Sequence, residues 1–248
     1  MEVDDNLYID IFGVWLSKII QSGGLTSNDI IHVIMDTRTS EYLENNSNIL
    51  SMLVPALPCS FTIATVEPPT NNLEGMMYKY CTFDYSQDVY IYCDIDILIS
   101  KSLHDLVEPF NDNTIYLCVE GKLSHPHYSA GFLDVIENEE LPGFSAGKFI
   151  ILGKDIRNSF FNTINRVCDY STDYYTKEQP FFNLAVCMIP MDTVSVNIGT
   201  LVKYVSFNGK DYYKNLTVFN DMAGDVGNGK VHAIKVMNAL ALYTAGIY

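Results

Sequence analysis

VYIYCDIDILIS, residues 89–100, reads as a buried strand with two aspartates, Asp94 and Asp96, set inside it. The run VYIYC is nearly continuous apolar, the pattern of a central strand in a parallel sheet covered on both faces. Asp94 falls at its carboxyl end and Asp96 two residues on. If the chain stays extended there, both side chains share one face. Two like charges on one face repel, and burial penalises both. Helix capping does not account for them. SLHDL, 102–106, has its natural cap in Ser100 or Ser102, and both aspartates come too early for that job. A divalent cation relieves repulsion and desolvation together, and hard carboxylate oxygens suit Mg, Mn or Ca. Alone, a D-x-D arises by chance in an acidic chain; at the end of an apolar strand it carries more weight.

The flanking sequence alternates strand and helix signals. Helical apolar spacing covers 8–22 and stops at Gly23-Gly24. IIHVIMD, 30–36, is a short apolar strand, 40–53 is helical and ends before Pro55, and FTIATV, 61–66, is a strand. A short helix follows at 74–82. Beyond the D-x-D come strands TIYLCVE, 114–120, and KFIIL, 148–152, then helices at 155–168 and 177–187. This spacing predicts an α/β fold, a Rossmann-like, mostly parallel sheet flanked by helices. In such sheets ligands bind outside the carboxyl ends of the strands, where the D-x-D lies.

A length of 248 residues predicts one domain, 1–248. Its two halves would be about 1–110 and about 111–248. The net charge of −15 disfavours nucleic acid and anionic membrane surfaces as partners. Seventeen Tyr and thirteen Phe can serve core or ligand equally well. The six cysteines form no C-x-x-C pair and sit in apolar runs, which predicts buried thiols in a reducing compartment. The start MEVDDNLYID is acidic, unlike a signal or transit peptide, and no apolar run reaches the ~18–20 residues that span a bilayer. A cytoplasmic protein is expected.

YIYCDIDILISKSLHDLVEPF resembles the D-x-D strand of the family 8 glycosyltransferases, including glycogenin and the bacterial lipopolysaccharide galactosyltransferases. Four other segments fall in the family's order. VDDNLYIDIFGVWLSKI, 3–19, resembles its first motif, an acidic-Asn-Tyr loop leading into a helix. MMYKYCTF, 76–83, resembles "Y-x-R", with Lys79 at the Arg position. GFSAGKFIILG, 143–153, resembles "F-N-A-G-V-x-L-I", and KEQPFFN, 177–183, resembles "D-Q-x-x-x-N". There are departures. Ser145 stands for the usual Asn, Lys148 for an apolar residue and Glu178 for Asp. The segment VHAIKVMN, 231–238, matches "H-x-x-G-x-x-K" only in part, through His232.

The resemblance implies a GT-A type single domain that transfers a hexosyl unit from a UDP-sugar to a glycan or glycoprotein acceptor, with retention of configuration. Asp94, Asp96 and His232 would hold Mn2+, or Mg2+ in its place. A metal bridging both phosphates neutralises the leaving diphosphate. Asp5, Asn6 and Tyr8 would hold the nucleotide, Lys79 a phosphate oxygen, and Lys235, or Lys230, would complete the diphosphate grip. Ser145, Ala146 and Gly147 would floor the sugar site. Glu178 and Gln179 would contact the sugar beside the anomeric carbon and Glu120 would be a further sugar-contacting acid, with the nucleotide held by the half 1–110 and the sugar and acceptor by the half 111–248.

Each of these residues also has a plainer role. Asp5 and Asn6 can cap the first helix, Lys79 can snorkel at the surface, and Ser145 to Gly147 can begin a packed strand. Glu178 and Gln179 can occupy an exposed helix start, and His232 can be a core histidine. His125 and His127 read as loop residues. Two alternatives stay open, a non-catalytic sugar-nucleotide-binding module and an inverting GT-A enzyme. A dehydrogenase or a pyrophosphorylase lacks its glycine-rich loop here.

Overall fold

The computed structural model describes residues 5–46, 48–81, 86–129, 141–169, 178–195, 202–204 and 217–221. Its elements in chain order are α1 (Asp5–Ser22), β1 (Ile30–Asp36), α2 (Thr37–Asn46), α3 (Ile49–Leu53), β2 (Ser60–Val66) and α4 (Asn72–Met77). Then come β3 (Val89–Cys93), β4 (Ile97–Ile99), α5 (Leu103–Val107), β5 (Thr114–Lys122), α6 (Pro126–Ser129) and β6 (Pro142–Leu152). The last are α7 (Lys154–Val167), α8 (Gln179–Met188), β7 (Val194–Ser195), β8 (Val202–Tyr204) and β9 (Phe219–Asp221). Strands alternating with helices give the expected α/β architecture.

Two compact units make up the chain, and neither is a continuous stretch. The first gathers Met1–Thr65, Asp94–Pro109 and Leu201–Tyr248; the second gathers Val66–Cys93 and Phe110–Thr200.

In the first unit, α1 is apolar on most of its circumference and buries Ile11, Phe12, Trp15, Leu16 and Ile19. Such a helix belongs inside a fold. It packs on β4 and α3. Strands β1 and β2 form one sheet, and β4, β9 and β8 another, with β4–β9 antiparallel and β8–β9 parallel. Buried Asn220 ties the short β4 down. Its amide nitrogen donates to Leu98 O (3.1 Å), Ser100 Oγ (3.0 Å) and Thr217 O (2.9 Å), and its oxygen accepts from Thr217 N (3.0 Å). Helix α5 starts on the cap Ser102, whose hydroxyl accepts from Asp105 N at 3.3 Å, as the sequence suggests. The helix expected at 40–53 is two helices, α2 and α3. Asn48 stands just before α3, and asparagine disfavours a helix interior.

The second unit is built on a sheet ordered β3–β6–β5–β7. The eleven-residue β6 is central and buried along nearly all its length. It runs antiparallel to both β3 and β5, whereas β5–β7 is parallel. Apolar periodicity marks a buried strand but not its direction, so these antiparallel ladders are a finding of the structure. Helices α7 and α8 pack on each other and against this sheet. Tyr80, Phe149, Phe160, Phe161 and Phe182 fill the core between them, with Tyr90 and Tyr92 packed against it. Tyr80 meets Phe161 edge to face at 5.6 Å between centroids, and Tyr92 stacks on Phe149 at 5.1 Å. Much of the aromatic content is therefore core. Burial raises the Tyr90 hydroxyl above its ordinary range, and Arg157 and Lys79 oppose that.

All six cysteines are thiols rather than disulfides, but only Cys118 is buried, Cys187 is exposed and the other four are half-buried, so the expected burial holds for one of them. Among the described residues no helix is long and apolar enough to cross a membrane.

Candidate functional site

The stretch 89–100 is not one strand. β3 ends at Cys93, a turn follows in which Ile97 N donates to Asp94 O at 3.0 Å, and β4 starts at Ile97. The extended chain expected between Asp94 and Asp96 is thus replaced by a four-residue turn. Aspartate is among the residues that favour turns, and three residues of apolar β4 pairing with β9 fix the far side. Both aspartates are half-buried in the first unit.

Among the described residues no three His, Cys, Asp or Glu side chains converge as a metal site. The third ligand expected, His232, lies outside the described residues, as does Lys235. What Asp94 and Asp96 offer is two hard oxygen donors on one turn. That donor set fits Mg2+ or Mn2+, ions often held by one or two carboxylates with substrate phosphates and water completing the shell. Asp5, Asn6 and Tyr8 belong to α1, at the start of the described residues. Acidic residues suit a first helical turn, where the helix dipole is positive.

In the second unit the structure gathers Lys79, Glu120, Ser145, Ala146, Gly147, Glu178 and Gln179 into one network. It is built on two facing irregularities of the β5–β6 ladder. Leu117 pairs with Phe149, and Val119 pairs with Phe144, so two steps along β5 match five along β6. The excess places Ser145, Ala146 and Gly147 in a bulge. The next pair is Gly121 with Gly143, two steps on β5 against one on β6, which puts Glu120 at the second irregularity. Bulges re-aim side chains and free ladder groups, and they recur next to active sites.

The freed groups of the bulge are taken up by α8 and by Lys79. Gln179 Oε1 accepts from Ala146 N at 3.1 Å. One turn on, Asn183 brackets Phe144: its oxygen accepts from Phe144 N (2.7 Å) and its nitrogen donates to Phe144 O (2.9 Å). The i, i+4 spacing sets both amides on one helix face, matching the two-residue step from Phe144 to Ala146. Pro180 in the first turn of α8 pre-sets the helical φ just after Glu178.

Lys79 is buried. Its ammonium donates to Glu178 Oε1 at 2.7 Å and to Ala146 O at 3.1 Å, and it lies 4.9 Å from the centroid of the Tyr92 ring. Lys148 is 0 % exposed. Its ammonium donates to Glu120 Oε1 at 2.7 Å and to Ser145 Oγ at 3.2 Å, and Gly147 N donates to the same hydroxyl at 3.3 Å. Each acid of the network thus meets a buried ammonium.

Helix α6 closes in beside Glu120. A Cβ on Gly121 or Gly143 would meet the Tyr128 ring at 2.6 or 2.5 Å, so only glycine lets that ring lie on the ladder. Burial, reinforced by the Glu120 charge, pushes the Tyr128 hydroxyl up to about 12. Burial holds the His127 imidazole below its ordinary value, and Glu120 opposes this. His127 also accepts at its carbonyl from Gln179 Nε2, at 3.4 Å.

Two members of the network were not singled out as site residues from the sequence. Asn183 had a signal, the Q-x-x-x-N spacing. Lys148 had another, a cation in an otherwise apolar strand.

No protein-family model and no curated protein sequence matches the chain. Solved structures do match it as folds. Mouse xyloside xylosyltransferase 1 in its apo form is 14% identical at a TM-score of 0.59, over 88% of this chain and 92% of that one. The galactosyltransferase LgtC, solved with donor and acceptor sugar analogues, is 14% identical at 0.56, over 96% of this chain and 93% of that one. The apo bifunctional glycosyltransferase WbbM is 14% identical at 0.58, and the match spans 94% of this chain but 48% of WbbM. The chain therefore has the GT-A type glycosyltransferase fold that the D-x-D segment led one to expect.

Proposed function

We propose that the protein is a metal-dependent glycosyltransferase that moves a hexosyl unit from a UDP-sugar to a glycan or glycoprotein acceptor, with retention. The observation that carries this reading is the buried network of the second unit. Six residues expected at the sugar, with Lys79 expected at a phosphate, come from four separate segments and join there through hydrogen bonds that clamp the Ala146 backbone on both sides. A rigid floor of small residues suits close approach by a sugar ring.

Asp94 and Asp96 would hold Mn2+ or Mg2+, with His232 as a third ligand. The bound ion would supply Lewis-acid neutralisation of the leaving diphosphate. Asp5, Asn6 and Tyr8 would bind the uridine, and Lys235 the diphosphate. Gln179 and Glu178 would orient the sugar, and Glu120 would accept from one of its hydroxyls.

Glu120 and Glu178 each lie 2.7 Å from a buried ammonium. Such pairing makes a carboxylate a weak nucleophile and a good hydrogen-bond acceptor. This favours attack on the face the diphosphate leaves. There the acceptor oxygen bonds the anomeric carbon as the C1–O phosphate bond breaks, and the departing phosphate oxygen takes the hydroxyl proton.

Thermal-shift measurement tests the reading. UDP with Mn2+ should raise the melting temperature more than GDP, CMP or ADP with Mn2+, in line with mass action. A UDP-sugar should also be hydrolysed slowly when Mn2+ is present. GDP stabilising as well as UDP would sink the donor assignment, and binding without turnover would favour a non-catalytic module.

A further inference from the structure

Lys148 occupies a costly position. It stands in the run Lys148–Leu152, whose other members are apolar and buried. Bringing an ammonium out of water costs several kcal/mol unless close partners repay it. A strand with only a packing role would take an apolar side chain here.

The geometry around Lys148 is directional. The two ladder irregularities face each other and bring its ammonium within 2.7 Å of Glu120. Of the two side chains, Lys148 is 1% exposed and Glu120 16%. The ammonium therefore stands behind, and the carboxylate reaches outward. The Ser145 hydroxyl, which accepts from both Lys148 Nζ and Gly147 N, links this prop to the bulge itself.

The other acid of the network, Glu178, is matched in the same way by Lys79. Two ammonium groups thus balance two carboxylates. Sugar hydroxyls can donate to such carboxylates. A uronate would bring a further negative charge up to acids whose cations are already engaged, and like charges repel at close range.

We propose that Lys148 is a positioning residue that fixes the Glu120 carboxylate as acceptor for a hydroxyl of an uncharged donor sugar, so that the protein takes a neutral sugar nucleotide and rejects a uronate. This deepens the reading above and rests on it.

Calorimetric titration with UDP, UDP-glucose, UDP-galactose and UDP-glucuronate, each with Mn2+, tests it on wild type, Lys148→Met and the double variant Lys148→Met/Glu120→Gln. The readout is the affinity of each UDP-sugar divided by that of UDP. In wild type the better neutral sugar should exceed UDP-glucuronate by about tenfold or more, the scale of one charge-assisted hydrogen bond. Lys148→Met should cut the neutral-sugar ratio about tenfold while changing the UDP affinity less than twofold. The double variant should regain the wild-type melting temperature but not the ratio. If the single variant fails to fold, the double variant is read against Glu120→Gln alone: an equally low ratio in both shows that Lys148 acts through Glu120, and a lower one in the double variant overturns the proposal.

A structural role alone would return the ratio together with the stability, and that result overturns the proposal. So does UDP-glucuronate binding as tightly as the neutral sugars. Loss of all UDP binding in wild type overturns the donor reading itself and this inference with it. UDP binding with a ratio indifferent to Lys148 overturns the inference alone.

Discussion

The Asp94–Ile97 turn and the Ser145–Lys148 bulge are both places where a strand is interrupted, and they are closed in different ways. The turn is local. One backbone hydrogen bond spans it, from Ile97 N to Asp94 O, and its two carboxylates stand half-buried. The bulge is closed from far along the chain. Lys79 bonds both Ala146 O and Glu178, 99 residues away from it in the chain, and Glu120 reaches Lys148 across 28 residues. A local turn can change a side chain without disturbing its frame. A bulge braced by long-range ion pairs cannot, because each brace also supports the others. On the proposed reading the turn serves the metal and the bulge supplies rigidity.

The largest effect is expected at the turn, on activity. Asp96→Ala should lower sugar transfer by about 10²–10³-fold, the range lost when a key electrostatic contact at a reacting charge is removed. Its metal-free stability should change by only about 0.5 kcal/mol, as for a substitution outside the core. Paired turnover and metal-free melting measurements check this. Full turnover in the variant ends the metal assignment, and a collapsed fold makes the turn as structural as the bulge.

At the bulge the large effect should fall on stability. Lys79→Met leaves Glu178 charged and buried and should cost about 3–5 kcal/mol in denaturant unfolding. Removing both charges, in Lys79→Met/Glu178→Gln, should recover most of that loss. A single variant costing under about 1 kcal/mol would mean that the pair is solvated, and the contrast with the turn would disappear.

This contrast also explains what could be read in advance. Strand β1 was legible to the residue, and β2, β5 and α7 to within two, because their apolar periodicity is local. The D-x-D segment, expected to stay extended, instead forms the turn between β3 and β4. The strand expected at 148–152 in fact runs Pro142–Leu152. Its first six residues, PGFSAG, hold two glycines and a proline and carry no strand signal. Pairing with β5 and bracketing by Asn183 make them a strand. The family resemblance named Lys79, Glu120, Glu178 and Gln179 but not their partners, since partner choice is settled only when distant segments meet.

Among the described residues each unit has a buried asparagine that fastens a strand, which gives a finer test. Asn220→Ala should release Leu98 O, and Asn183→Ala both polar groups of Phe144. Each should cost about 2 kcal/mol, since a buried backbone group left without a partner costs 1–3. Amide hydrogen exchange separates them. The first should speed exchange at β4 and β9 and leave β6 protected, and the second should do the reverse. Equal acceleration in both strands for either variant would mean that the units do not open separately.

The smallest effect tests the surface of the first unit, far from any braced pair in character. Asp29 Oδ2 accepts from His104 Nε2 at 2.8 Å, from Thr26 N at 2.6 Å and from Thr26 Oγ1 at 2.9 Å. Burial raises the Asp29 carboxyl, but the His104 and Thr26 hydrogen bonds and the His104 charge outweigh it and hold it below its ordinary value. A depressed carboxyl binds fewer protons folded than unfolded, so its stabilisation is present above the unfolded value of about 3.9. It fades as pH falls through the lower folded value. His104 is half exposed, which places the pair among surface ion pairs worth roughly 0.2–1 kcal/mol. Asp29→Asn should therefore be less stable than wild type by about that much at pH 7, and the gap should close as pH drops below about 4. A gap that stays constant from pH 7 to pH 3 would mean that Asp29 acts through the shape of the Thr26–Asp29 loop and not through its charge.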